Sequence, residues 1–135
     1  MTIDELHAHL LGEGFGDLLR KYPGGISLAD FDIQREDQTI RVGQKERGRF
    51  CAIDLETEDE AEACACYLKG AMRFTWHLSR SSDESVIEQQ QAILADAGIW
   101  FDRNDLPASL NLPDSRYRIF VAGAQLKRAR QLLGL

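Results

Sequence analysis

Between residues 31 and 56, apolar and polar side chains alternate in three short runs separated by turn residues, a pattern that calls for antiparallel strands joined by tight hairpins. Phe31, Ile33 and Arg35 alternate with Asp32, Gln34 and Glu36, and Ile40 and Val42 alternate with Thr39 and Arg41. Asp37-Gln38 and Lys45-Glu46-Arg47-Gly48 read as the two hairpin tips, with Gly48 available for a positive φ. In the third run, 49–56, Cys51, Ile53 and Leu55 take one face and Phe50, Ala52, Asp54 and Glu56 the other.

Amphipathic helices surround these strands. Thr2 and Glu5 form a capping box for a helix over 2–11 whose apolar face is Ile3, Leu6 and Leu10. Gly12, Gly14 and Gly16 end it, and Pro23-Gly24-Gly25 is a turn. A second capping box, Thr57 with Glu60, opens a helix over 57–78, with a stripe of Cys64, Tyr67, Leu68, Ala71, Phe74 and Leu78. A third helix spans 83–97, with Val86, Ile87, Gln90, Ile93, Leu94 and Ala97 inward and Gly98 as a left-handed cap. Ile99-Trp100-Phe101 enters a strand, a loop runs from 103 to 115, a strand covers 117–121, and a last helix covers 123–133. Trp76 and Trp100 are expected in the core.

The expected order is αβββα followed by αββα. This is an α+β fold in which a mainly antiparallel sheet of about five strands packs against about four helices. One domain over 1–135 is expected, because a second half of about 50 residues has only a thin core of its own. No apolar run is long enough to span a bilayer, and the first residues lack a basic and apolar leader. Three cysteines, an odd number, fit buried thiols in a reducing compartment, so the expected location is cytoplasmic.

Motifs for chemistry are absent. Gly12-Glu-Gly14-Phe-Gly16 lacks the spacing, the preceding strand and the Lys-Ser/Thr pair of a phosphate loop. His7 and His9 point to opposite sides of a helix, and His77 has no ligand partner at metal spacing. Ser79, Ser81, Ser82 and Ser85 cluster where helix caps belong, with no nucleophile elbow. Neither an enzyme, a metal nor a cofactor is expected.

What remains is charge. Asp54, Glu56, Glu58, Asp59, Glu60 and Glu62 put six carboxylates into nine residues with no base among them. Residues 1–72 carry 8 Lys/Arg against 15 Asp/Glu, whereas 73–135 carry 8 against 7. That balance speaks against nucleic acid, which requires a concentrated basic surface. Three acids in a helix's first turn are explained by its unpaired N–H groups; Asp54, Glu56 and Glu62 are not. Three readings fit that remainder: a solvated face, a docking surface for a basic partner, or a divalent-metal site lacking the order of a calcium loop. The 103–115 loop, with Asp105 and Asp114, either packs over the end of the core or forms a second edge of a binding surface.

The Lys45-Glu46-Arg47-Gly48 hairpin, the strand over 49–56 and the Thr57-Glu58-Asp59-Glu60-Ala61 helix start resemble bacterial immunity proteins of polymorphic-toxin and contact-dependent inhibition systems. The resemblance covers about residues 38–75. It implies a non-catalytic antitoxin-type protein that blocks a cognate, basic toxin domain, with Asp54, Glu56, Glu58, Asp59, Glu62, Asp105 and Asp114 as expected contacts. Separately, Ala95-Asp96-Ala97-Gly98-Ile99, Arg118-Ile119-Phe120-Val121 and 129–133 are similar to small ferredoxin-like signalling domains, which implies a ligand-binding regulatory module as the alternative.

Overall fold

A computed structural model describes residues 1–107 and 116–135. The fold is α+β, and the chain divides into two compact units, Met1–Ala71 and Met72–Leu135.

The first unit holds α1 (Ile3–Gly12), β1 (Leu19–Tyr22), β2 (Gly25–Leu28), β3 (Phe31–Glu36), β4 (Thr39–Glu46), β5 (Arg49–Thr57) and most of α2 (Glu60–Arg73). Its five strands form an antiparallel meander in sequence order, so β1 and β5 are the edges. The Thr2–Glu5 capping box closes α1 as its sequence requires, with both hydrogen bonds at 3.1 Å. Arg47 and Gly48 both take positive φ, the backbone of the tight hairpin expected between β4 and β5.

One face of this sheet is the core. Ile26, Leu28, Phe31, Ile33, Ile40 and Val42 are buried there, and α1 and α2 add Leu6, Leu10, Cys64 and Tyr67. The Tyr67 ring lies parallel to that of Phe31 at 4.4 Å, and its hydroxyl donates to the Phe31 carbonyl at 2.8 Å. Gly70 is what lets α2 approach so closely: a Cβ there would lie 2.6 Å from the Phe31 ring. The opposite face carries the polar alternates, among them Arg20, Tyr22, Ser27 and Asp32.

The second unit holds β6 (Thr75–Ser81), α3 (Glu84–Asp96), β7 (Phe101–Arg103), β8 (Tyr117–Ala122) and α4 (Gly123–Leu133). Its antiparallel sheet has the order β6-β8-β7. Trp76, Ile119 and Val121 are buried with Ile87 and Leu94 of α3 and Leu126 and Ala129 of α4. Asp83 caps α3 by accepting from the Ser85 N–H at 2.9 Å, and Gly98 has the expected left-handed φ of 71°.

Three sequence expectations change, and two strands are added. The helix expected to reach residue 78 stops at Arg73, because Trp76 and Leu78 also fit a two-residue period and pairing with β8 selects the strand. β1 and β2 are strands too short to show a period. Of the residues assigned to the inner face of α3, only Ile87 and Leu94 are buried. Trp100, expected in the core, is 64% exposed. No helix among the described residues is long and apolar enough to cross a membrane.

Candidate functional site

The acidic run straddles the junction of β5 and α2, and its members do different work. Asp59, rather than Thr57, is the N-cap of α2. Its carboxylate accepts from the N–H groups of Ala61 at 3.0 Å and Glu62 at 3.3 Å, while its carbonyl takes the first helical bond from Ala63. Thr57 instead accepts from the Asp59 N–H at 3.1 Å and donates to Glu62 at 3.4 Å. Glu60, freed from the expected capping box, pairs with Arg35 at 3.1 Å. Asp59→Ala is expected to cost about 1 kcal/mol, the usual worth of an N-cap, read as a lower urea midpoint; an unchanged midpoint would show that Thr57 substitutes as the cap.

Asp54 and Glu56, expected on one face, are separated by a bulge. Val42 pairs with Leu55 and the adjacent Gly43 with Ile53, which leaves Asp54 as the inserted residue. Glu56 stays beside Arg41, 3.5 Å away, and Arg41 also holds Glu36 at 3.2 Å. Asp54 instead acts on Cys66 of α2. Burial pushes the Cys66 thiol upward; the charges of Asp54 and Glu62 push the same way, and Lys69 opposes them. Asp54, Glu62 and Lys69 thus all act on that thiol, and Asp54 and Glu58 have no hydrogen bond or ion pair among the described residues.

β5 itself is exposed along almost all of its length, and even Ile53 is 49% exposed. Asp105 lies in the second unit, neutralised by Arg103 at 3.1 Å, which also reaches Glu84 at 2.8 Å. Asp114 and residues 108–115 of the loop lie outside the described residues.

A second cluster, which the sequence pattern did not mark, sits on the open face of the first sheet. Cross-strand register puts Ser27 opposite Asp32 and Arg20 opposite Ser27. Asp32 is only 4% exposed. Its Oδ2 accepts from the Tyr22 hydroxyl at 2.7 Å and lies 3.4 Å from Lys45 Nζ, while Oδ1 is 2.7 Å from Ser27 Oγ. Ser27 Oγ is also 2.6 Å from the Ala29 carbonyl, so one hydroxyl proton serves two acceptors. Gly25 makes the arrangement fit, since a Cβ there would come 2.6 Å from the Tyr22 ring. Burial, then the hydrogen bond to Asp32 and its charge, raise the Tyr22 phenol well above its ordinary value. The cluster floors a cleft of about 400 Å³ rimmed by Arg20, Lys21, Asp30 and Gly48.

No protein family, curated protein or solved structure matches this chain. Among the described residues, no three His, Cys, Asp or Glu gather closely enough to hold an ion.

The cysteines provide an internal check on this geometry. Cys51 is exposed on β5, Cys66 is half-buried, and Cys64 is buried, its thiol pushed up to about 11 by burial and by Glu60. Iodoacetamide at pH 8 is expected to modify Cys51 first and Cys64 only after unfolding. Peptide mapping that found Cys64 alkylated in the native protein would contradict the packing of α2.

Proposed function

We propose that the protein is a non-catalytic inhibitor of the immunity type, cytoplasmic, that captures a basic protein domain along β5 and the start of α2. The observation that carries the reading is a largely exposed nine-residue edge strand continuous with Asp54 and Glu58, which make no ion pair among the described residues. A free strand edge offers unpaired N–H and C=O groups as a template for a partner strand. Like charge at Asp54, Glu58 and Glu62 opposes pairing between two copies and attracts a basic partner. The resemblance of the 38–75 segment to antitoxin-type immunity proteins gives that partner its class, the toxic domain of a secreted toxin.

Glu56 and Glu60 have a smaller part in this reading, because Arg41 and Arg35 already neutralise them. Asp59 contributes charge while holding the helix. The experiment is co-expression of this chain with the toxin domain encoded beside it. Restored growth and a complex that co-purifies are expected; unrelieved killing with no complex would reject the proposal.

A further inference from the structure

The open-face cleft is a separate matter from the acidic edge. We propose that it binds a small organic molecule through one anionic head group, a carboxylate or a phosphate, held by Arg20 and Lys45. Donors and acceptors in the cleft are out of balance. The acceptors at the floor are occupied, Asp32 by Tyr22, Ser27 and Lys45, and Ser27 has a single proton for two neighbours. The donors are not. Lys45 is held between the rings of Tyr22 and Phe50, its nitrogen 5.3 and 5.0 Å from their centroids, and its one ionic partner among the described residues is a distant 3.4 Å away. Such placement fixes the ammonium by its aromatic neighbours and leaves hydrogen-bond donors for a ligand.

Arg20 adds a guanidinium with no hydrogen bond or ion pair among the described residues, suited to two-pronged binding of an oxyanion. Lys21, by contrast, is committed to Asp4 at 2.7 Å. The volume, about 400 Å³, falls at the small end of the range for ligand sites, roughly 300–1,000 Å³. Asp30 on the rim and Asp32 on the floor repel a long polyanion, so a single head group fits where a nucleic-acid backbone does not.

The test is a nitrogen-15 NMR titration of the whole chain with inorganic phosphate and, separately, with succinate, at constant ionic strength set by chloride. Saturable shifts are expected at the amides of Arg20, Tyr22, Ser27, Asp32, Lys45 and Gly48 with at least one probe, and the responding probe identifies the head group. Arg20→Gln, an exposed substitution that leaves the melting temperature unchanged, is expected to weaken binding at least tenfold. No saturable shift with either probe, or shifts that Arg20→Gln leaves intact, would overturn the proposal. Capture of a toxin domain is read separately, because Asp54, Glu58 and Glu62 do not line this cleft.

Discussion

Asp32→Ala is expected to destabilise the protein by about 3 kcal/mol, the low end of what breaking a buried ion pair costs. Two groups lose their partner at once, the Lys45 ammonium, whose side chain is 16% exposed, and the Tyr22 hydroxyl, while the Ser27 hydroxyl keeps the Ala29 carbonyl. The low end applies because the cleft admits water, which partly solvates the stranded charge. Asp32→Asn keeps the shape and an acceptor while removing the charge, so it should fall between wild type and Asp32→Ala. Urea denaturation measures both, and a loss below about 1 kcal/mol for the alanine variant, no more than one ordinary hydrogen bond, would show the cluster to be solvated and structurally idle. The same contacts give an alkaline signature. Tyr22 and Tyr67 both have folded-state values raised above the ordinary one near 10, each chiefly by burial. Their contribution is therefore complete below pH 10 and is lost as pH rises above it, because the unfolded chain gives up those protons first. Tyr22→Phe should make that alkaline loss shallower.

Reversing Asp54, Glu58 and Glu62 to Lys together is expected to slow association with the toxin domain by about 10- to 1000-fold at low salt. The choice of residues follows from the structure. Among the described residues Asp54 and Glu58 make no ion pair, and Glu62 has the 3.4 Å contact from the Thr57 hydroxyl. Asp59 is left alone because its loss would unwind the first turn of α2, and Glu60→Gln serves as the control, since Arg35 already cancels that charge. Stopped-flow association is the measurement, repeated at about 0.15 M salt, where the Debye length shrinks to about 8 Å and the difference narrows. Equal rates for the variant and wild type at low salt would remove electrostatic steering from the account.

The sequence exposed local rules better than long-range ones. Thr2 and Glu5 cap α1, Gly98 ends α3 and Gly48 closes a hairpin because each depends only on neighbours within a few residues. Alternation correctly separated Phe31 and Ile33 from Asp32. It could not show that Asp32 is buried, since the residues that cover it come from β1, β2 and β4, and only sheet register brings Tyr22, Ser27 and Lys45 together. The bulge at Asp54 was hidden for a related reason. Beside it Gly43 meets Ala52 so closely that no side chain fits, a property of the strand pair rather than of either strand. The boundary between the two compact units has no turn or linker to mark it, because α2 runs through residue 71.

Hydrogen–deuterium exchange on the complex tests the central claim most directly, because it reads the backbone of β5 itself. Added protection is expected at the amides of residues 49–62, where a partner strand would complete the open edge and cover the start of α2. Protection confined to other segments, with β5 exchanging as fast in the complex as in the free protein, would contradict the account.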